Sequence, residues 1–249
     1  MCTLSFLPVK CGYVAAMNRD EQRSRAAALV PVIRRSAGRS LVYPQEPGGG
    51  TWIGGNSRGN LLALLNWYSM EPAKLGAKVR SRGGIIPAIL GEDTAESSEA
   101  TLRDVALTGL FPFRLFGFFP EERLIREWRW DTKVLSAAPY AWDRHHWFSS
   151  SWSDDAAAAQ RGLACERAWQ RGSSDPRTWL RKLHASHEPA PGPFSVCVHR
   201  EDAATVSYTE LHWGREGLEM CYLSGNPCQP TATFHTTHLP MVLASSKSL

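Results

Sequence analysis

The sequence predicts a single α+β domain in which antiparallel sheets are covered by helices. Segments with strand character and segments with helical character occur in separate runs, which is the order typical of α+β proteins. Of the 249 residues, 43% are hydrophobic, enough to bury a full core. Stacking one sheet on another, with helices outside, would bury the apolar faces. With no internal repeat and no linker, we expect one domain over residues 1–249, with an irregular tail from about residue 229.

The first two predicted strands form a hairpin. Residues 3–7 alternate and are rich in β-branched and aromatic side chains, and residues 13–17 form the next strand after a turn that contains Gly12. This hairpin returns the chain to the start of the first strand. We therefore expect Asp20 to lie near Cys2.

A second hairpin is predicted after an irregular stretch over residues 24–47, where three prolines limit helix formation. Residues 48–56 and 60–66 have strand character and are joined by a turn at residues 57–59. The three glycines at 48–50 precede a strand instead of opening a helix, and no Gly-Lys-Ser/Thr follows. They favour close backbone packing or a bulge over a phosphate-binding loop.

In the rest of the chain, helices and strands follow in separate runs. Helices are predicted at 83–91, 98–107, 156–170 and 177–187, and strands at 112–119, 123–130, 194–199, 205–213 and 218–223. The helix over 156–170 has the strongest signal, because Asp154 and Asp155 precede it and acids are favourable at the positive end of a helix.

Composition argues against several classes of protein. There is no apolar run of transmembrane length and no secretory signal. The net charge of +4 is modest, and the arginine-rich patches are interspersed with acids and carry no zinc-finger or RNP signature, so we expect no nucleic-acid partner. The six cysteines contain no C-x-x-C pair and are expected to be reduced thiols. These features predict a cytoplasmic protein.

The histidines and cysteines also argue against a metal site. No two histidines have the i, i+4 spacing of a zincin, and the Cys/His spacings match no structural zinc pattern. Cys228, His235 and His238 lie near the end of the chain, with Cys221 upstream, but without a recognised spacing. We therefore expect no metal and no cofactor.

The strongest candidate for chemistry is Cys2. It follows the initiator methionine and is small enough to allow removal of Met1, which would leave a thiol and an α-amine on one residue. An α-amine titrates near pH 7.7–8, so it can take the proton of the thiol. Asp20 would hold the amine, and Arg19 would keep Asp20 ionised and favour thiolate.

Other residues are candidates for binding. Asn18 and Asn66 end their strands near the same edge and could donate hydrogen bonds to an oxyanion. Ser150 lies in a serine run that lacks the glycine-flanked elbow of a hydrolase, so it is a candidate hydrogen-bond donor instead of a nucleophile. Trp52 and Ser150 are the candidate substrate-binding residues.

Several motifs together resemble the NRDE family, which includes the transport and Golgi organisation protein 2 homologues of animals. The motifs are Met1-Cys2-Thr3, Asn18-Arg19-Asp20-Glu21, Gly49-Gly50-Thr51-Trp52-Ile53-Gly54 with Leu64-Leu65-Asn66, and Arg80-Ser81-Arg82-Gly83. The resemblance continues through the serines at 149–151 and through residues 208–210, and so covers most of the chain.

The resemblance implies an N-terminal-nucleophile αββα sandwich, distantly similar to penicillin V acylases and bile salt hydrolases. In those enzymes the nucleophile is a cysteine left by methionine removal, which corresponds to Cys2. Their Arg-Asn-x-Asp segment places the asparagine at Asn18 and the aspartate at Asp20, and a strand-ending asparagine whose main-chain N–H serves the oxyanion hole corresponds to Asn66.

Three departures from the acylase pattern are visible. Met17 stands where the acylases have an arginine, for which Arg19 is a possible substitute. The side-chain oxyanion asparagine of the acylases corresponds to a position near Ser150, which has no amide. The region of the second acylase arginine is occupied by Ala204-Thr205.

The leading hypothesis is an N-terminal cysteine amidohydrolase that acts on a small amide or acyl substrate through a thioester on Cys2. The alternative is a non-catalytic ligand-binding or trafficking protein that uses the same pocket for haem or for a lipid or acyl ligand, as the resemblance to the NRDE family also implies. Both hypotheses predict a small-molecule partner.

Overall fold

The computed structural model describes residues 2–36, 38–71, 79–172, 175–229 and 233–241. These residues form two antiparallel sheets. The six-stranded sheet contains β1 (Cys2–Val9), β2 (Gly12–Gln22), β10 (His145–Ser149), β11 (Ala203–Gly214), β12 (Gly217–Ser224) and β13 (Phe234–Pro240), in the order β10-β1-β2-β11-β12-β13.

The seven-stranded sheet follows the order of the chain from β3 to β9. Its strands are β3 (Leu29–Ser36), β4 (Arg39–Gln45), β5 (Ile53–Asn56), β6 (Leu61–Asn66), β7 (Phe113–Phe119), β8 (Leu124–Trp130) and β9 (Leu135–Tyr140). Each strand pairs with the next in an antiparallel meander, and the connection between β6 and β7 also contains helices.

Helices cover the outer face of each sheet. They are α1 (Ile85–Ile89), α2 (Ala95–Asp104), α3 (Asp154–Gln170) and α4 (Pro176–His184), close to the predicted helices, with shifted ends. Side chains of α1 and α2 pack on the seven-stranded sheet, and those of α3 and α4 pack on the six-stranded sheet. No helix in the described part of the chain is long and apolar enough to cross a membrane.

A third core lies between the two sheets and explains the alternation along β1. Leu4 and Phe6 are fully buried in this core, and Phe6 stacks on Phe118 of the opposite sheet with ring centroids 4.9 Å apart. Thr3 and Ser5 point the other way, toward the helices, because successive side chains of a strand alternate between its faces. The αββα sandwich is therefore confirmed.

The prediction that residues 24–47 are irregular is wrong, because β3 and β4 lie there. Pro31 is in the edge strand, next to a register shift in the pairing between β3 and β4. Pro44 lies beyond the stretch of β4 that pairs with β5, which covers only Leu41 and Val42. A proline at such a position removes no hydrogen bond from the sheet, so both strands tolerate it.

The tail predicted to be irregular from about residue 229 also contains a strand. In β13, Phe234 pairs with Leu223 and Pro240 with Gly217, and Leu239 is fully buried. The isolated apolar positions of this segment hid it, because most of its other side chains are exposed. Residues 242–249 lie outside the described residues. The predicted strand over 194–199 has one isolated bridge, between His199 and Ala204, and otherwise no regular structure.

Candidate functional site

Cys2 begins β1 and lies at a cleft of about 320 Å³. Its Cα is paired with Arg19 of β2 on one side and with Ser149 of β10 on the other. The side chain belongs to the core between the sheets and is 8% exposed. Five of the predicted site residues line this cleft: Cys2, Arg19, Asp20, Trp52 and Asn66. Met1 itself lies outside the described residues.

Burial raises the pKa of the Cys2 thiol, and the nearby negative charge of Asp20 adds to this. The positive charge of the amino terminus, a hydrogen bond from the Asp20 backbone and the charge of Arg19 lower it, but they do not outweigh burial. The resting side chain is therefore a neutral thiol at neutral pH. A nucleophilic role would need a base to remove its proton.

Asp20 is anchored on the helix side of the six-stranded sheet. Its Oδ1 accepts a hydrogen bond of 2.6 Å from the hydroxyl of Thr205, its partner on β11. Its Oδ2 lies 3.7 Å from Nη1 of Arg161, and both side chains are fully buried. Burial raises the pKa of the Asp20 carboxyl, and the charges of Arg161 and of the amino terminus oppose that rise.

Arg161, which the sequence analysis missed, connects α3 to the start of β1. It donates hydrogen bonds to the carbonyl oxygen of Cys2 (3.2 Å), to Oγ1 of Thr3 (3.0 Å) and to the carbonyl oxygen of Pro193 (3.0 Å). Its helical position carried no functional signal in the sequence. A fully buried arginine is costly to maintain, and the contacts of Arg161 connect this position to both Cys2 and Asp20.

Arg19 does not serve as the counter-charge of Asp20, contrary to the prediction. Adjacent residues of a strand point to opposite faces, so Arg19 faces the other sheet. There it forms ion pairs with Glu46 (2.5 Å) and Glu21 (3.3 Å), and its guanidinium lies 4.4 Å from the ring centroid of Trp52. The ion pair of Asp20 is formed with Arg161 instead.

The two predicted asparagines have different surroundings. Asn18 is fully buried and donates to the carbonyl oxygens of His184 and Val196, each at 2.9 Å. It holds α4 and the segment after it against β2 and is not among the residues that line the cleft. Asn66 lines the cleft, and its side-chain amide donates to the hydroxyl of Tyr68 at 2.7 Å.

Ser150 is not among the residues that line the cleft either. Its backbone N–H donates to Oδ1 of Asp154 at 2.7 Å, and its hydroxyl accepts from the N–H of Trp152 at 3.3 Å. These contacts shape the turn that enters α3. The structure therefore gives Ser150 a local role in the turn, while Trp52 lines the cleft.

Residues 79–83 form a second wall of the cleft. Residues 80–83 are one of the motifs that resemble the NRDE family, and no other role in the site was predicted for them. Gly50 and Gly83 pack so closely that a Cβ on Gly50 would lie 2.9 Å from Cα of Gly83. Of the three glycines at 48–50, for which close backbone packing or a bulge was predicted, Gly50 therefore packs closely, whereas a Cβ on Gly48 would meet no described atom within 4 Å. The N–H of Thr51 donates to the carbonyl of Gly83 at 3.0 Å. This contact helps to place Arg82 in the lining of the cleft that contains Cys2.

Arg80 and Arg82 add positive charge to this wall. Arg82 donates to the carbonyl oxygen of Pro112 at 2.9 Å, and burial lowers the pKa of its guanidinium. Arg80 donates to the carbonyl oxygens of Ala106 and Thr108. Within the described ranges, neither arginine has a carboxylate within salt-bridge distance. Both are therefore positioned to attract an anionic group.

A separate group of side chains could hold a metal ion. It comprises His187, Cys197, His199 and Cys228, whose ligand atoms lie within 4.8 Å of one another. The sequence predicted no metal, because the spacing of these residues matches no known pattern. Along the chain, Cys228 is closer to His235 and His238 than to the histidines of this group.

The two stacked antiparallel sheets, covered by helices, form a fold that the chain shares with solved structures of hydrolases. Penicillin V acylase from Agrobacterium tumefaciens superposes with a TM-score of 0.56 at 11% identity, over 96% of this chain and 86% of its own. A mutant of the conjugated bile acid hydrolase from Clostridium perfringens superposes with a TM-score of 0.54 at 10% identity, over 99% of this chain and 100% of its own. At such identities the likeness shows the fold alone.

The chain belongs to the Transport and Golgi organisation 2 family, which matches residues 1–125. This confirms the resemblance to the NRDE family. The matched part includes Cys2, Asp20 and Asn66, whereas Arg161 and Thr205 lie beyond it. Among curated proteins, no sequence matches the chain.

Proposed function

We propose that this protein is an N-terminal cysteine amidohydrolase that cleaves a small amide or acyl substrate through a thioester on Cys2. The observation that carries the proposal is the position of Cys2, at the first residue of β1 and at a charged cleft, with Asp20 beside it on the next strand. Removal of Met1 would leave the α-amine on the residue that carries the thiol.

The proposed reaction has two steps. The α-amine takes the thiol proton while Sγ of Cys2 attacks the carbonyl carbon, and the resulting ammonium gives that proton to the departing amine as the C–N bond breaks. The amine then takes a proton from water, whose oxygen attacks the thioester carbonyl, and the carboxylic acid leaves as the C–S bond breaks and the thiol is restored. Asp20, held by Thr205 and Arg161, orients the α-amine.

The raised pKa of the Cys2 thiol fits this scheme. A preformed thiolate is not required when the base lies on the same residue, because proton removal accompanies attack. A neutral resting thiol also avoids placing a second negative charge close to Asp20.

The charge of the cleft supports an anionic substrate. Arg19 and Arg25 are paired with Glu21 and Glu46, whereas Arg80 and Arg82 bind backbone carbonyls in the described structure. A substrate carboxylate beside these two arginines would gain a charge-assisted contact. We therefore propose an amide whose acyl or amine part carries a carboxylate, such as an N-acyl amino acid.

Intact mass spectrometry and acyl trapping test the proposal. The purified protein is expected to lack Met1 and, after brief reaction with N-acyl amino acids, lactams or bile-salt amides, to carry one acyl group. Cys2→Ala should abolish both the adduct and amine release, while Cys11→Ala, at an exposed cysteine outside the cleft, should leave both unchanged. Full retention of Met1, or equal turnover by Cys2→Ala, would overturn the mechanism.

A non-catalytic ligand-binding protein is the second candidate. It is supported by the buried, protonated thiol and by the side-chain amide of Asn66, which is bound to Tyr68. In this case the cleft would bind haem, a lipid or an acyl ligand without turnover. Calorimetric titration of the Cys2→Ala protein with these ligands distinguishes the two candidates. If Cys2→Ala binds a ligand as tightly as the natural sequence does, and the natural sequence has no amidase activity, a binding protein is favoured.

A further inference from the structure

Four side chains from three separated parts of the chain converge outside the cleft. His187 follows α4, Cys197 and His199 lie in the segment before β11, and Cys228 follows β12. Cys197 is buried and the other three are half-buried. These segments have little regular secondary structure, so the convergence is not a by-product of strand pairing.

We propose that these four side chains form a structural zinc site, with two thiolate and two imidazole ligands. Two cysteines and two histidines are a donor set that structural zinc sites use. Two thiolates and two neutral imidazoles also balance the charge of one Zn²⁺ ion.

The distances in the cluster fit a tetrahedral ion. Nε2 of His199 lies 3.1 Å from Nε2 of His187, 3.6 Å from Sγ of Cys197 and 3.4 Å from Sγ of Cys228. With zinc bonds of about 2.3 Å to sulfur and about 2.0–2.1 Å to nitrogen, the edges of a tetrahedron are about 3.6 Å for N–S and about 3.3 Å for N–N. These three separations are close to the corresponding edges, and the other pairs of ligand atoms lie within 4.8 Å of each other.

Hydrogen bonding alone does not explain this arrangement. One imidazole nitrogen either donates a single proton or offers a single lone pair, yet Nε2 of His199 faces three groups at once. A cation at the centre of the four atoms satisfies all of them.

The position of the cluster indicates what the ion would stabilise. Cys197 and His199 flank Val198, whose N–H donates to Oγ1 of Thr205 at 2.8 Å. The hydroxyl of Thr205 in turn donates to Asp20. The ion would therefore fasten the irregular segment that supports Asp20, and it would join this segment to the turn between β12 and β13.

Metal analysis of the full-length protein tests the proposal. After dialysis, the natural sequence is expected to retain about one zinc ion per chain. Cys228→Ser and His199→Gln should each weaken zinc affinity by at least about tenfold. Cys11→Ser and His235→Gln, which change exposed residues of the same types elsewhere, should retain the ion.

Replacement of zinc by cobalt gives a readout that does not depend on the variants. Bound Co²⁺ should show a thiolate-to-cobalt charge-transfer band and the intense visible bands of a tetrahedral ion, and chelation should lower the Tm. A protein that retains no zinc and shows no thiolate band with Co²⁺ would overturn the proposal. So would a Cys197–Cys228 disulfide, found as the loss of two free thiols in the metal-free, denatured protein.

Discussion

Arg161 and Asp20 form an ion pair that is fully buried between α3 and the six-stranded sheet, with Nη1 and Oδ2 3.7 Å apart. The same guanidinium donates to the carbonyl oxygen of Cys2. One side chain therefore fixes both the candidate nucleophile, through its backbone, and the carboxylate that would orient its amine. This arrangement explains how a helix outside the sandwich takes part in a site that opens between the sheets.

Loss of Arg161 is expected to destabilise the fold strongly. Arg161→Met would remove the guanidinium that pairs with the buried Asp20 carboxylate and donates to the Cys2 carbonyl. Breaking one side of a buried pair costs about 3–5 kcal/mol. Urea denaturation followed by circular dichroism measures the change, and Arg167→Met, at an exposed arginine of the same helix, should cost less than about 0.5 kcal/mol.

The double variant Asp20→Asn with Arg161→Met provides the control for charge. If the uncompensated carboxylate causes the instability, the double variant should be more stable than Arg161→Met alone, because the side chain at position 20 is then neutral. Equal stability of the natural sequence and Arg161→Met would contradict the proposed role of the pair.

Local sequence patterns were enough to predict the two hairpins and the helices. The turn at Gly12 and the alternation before and after it return the chain to the start of β1, and in the structure Cys2 pairs with Arg19, next to Asp20. Arg161 could not be found in this way, because it is 159 residues from Cys2 and its neighbours in α3 show no pattern that distinguishes a buried arginine from an exposed one.

The role of Arg19 shows a second limit of sequence reasoning. Its proximity to Asp20 in the chain suggested an ion pair, but the pleat of β2 turns the two side chains to opposite faces. Likewise, the prolines in β3 and β4 indicated an irregular segment until the pairing showed that their nitrogens are not needed. In both cases the missing information was which neighbours a strand has, and this is set by distant parts of the chain.

The reactivity of Cys2 toward alkylation should be low at neutral pH. Burial raises the pKa of its thiol, and the thiolate is the reactive form. The rate of modification by iodoacetamide, followed by peptide mass spectrometry, should therefore be lower for Cys2 than for the exposed Cys11 at pH 7. The rate at Cys2 should continue to rise at pH values above about 8.5, the ordinary pKa of a free thiol. Faster labelling of Cys2 than of Cys11 at pH 7 would contradict this expectation.

Two histidines on the helix side of β1 should make stability fall in mild acid. The hydroxyl of Ser5 lies 2.8 Å from Nδ1 of His146 and 2.9 Å from Nε2 of His184. Burial lowers the pKa of both imidazoles to about 3. Both are therefore neutral in the folded protein. The Ser5 hydroxyl donates its one proton to a nitrogen of one ring and accepts a hydrogen bond from the N–H of the other ring.

The sign of the effect follows from these lowered pKa values. Above pH 6.5 the histidines are neutral in both states, so their contribution is fully present. As the pH falls from about 6.5 toward 3, the unfolded chain binds protons that the folded protein does not. Each histidine therefore lowers the free energy of unfolding by up to about 1.4 kcal/mol per pH unit. The free energy of unfolding of His184→Gln should therefore depend less on pH between 6.5 and 5 than that of the natural sequence. His238→Gln, at an exposed histidine, should keep the natural slope.

The contact between Gly50 and Gly83 predicts a specific effect on the cleft. In Gly50→Ala the new Cβ would meet Cα of Gly83 at 2.9 Å, and because the opposing atom is backbone, the wall that carries Arg82 must move. Overpacking of this kind costs about 1–3 kcal/mol. Displacement of the wall should also speed alkylation of Cys2, since it widens the cleft above the thiol.

Gly48→Ala is the matched control for this change, because no atom lies within 4 Å of the Cβ that it would add. Its stability to urea and its rate of Cys2 alkylation should match those of the natural sequence. If Gly50→Ala also matched the natural sequence in both measurements, the close approach of the two backbones would not be what holds Arg82 beside Cys2. A loss of stability without faster alkylation would instead mean that the loop of Gly50 moves and the wall of Arg82 stays in place.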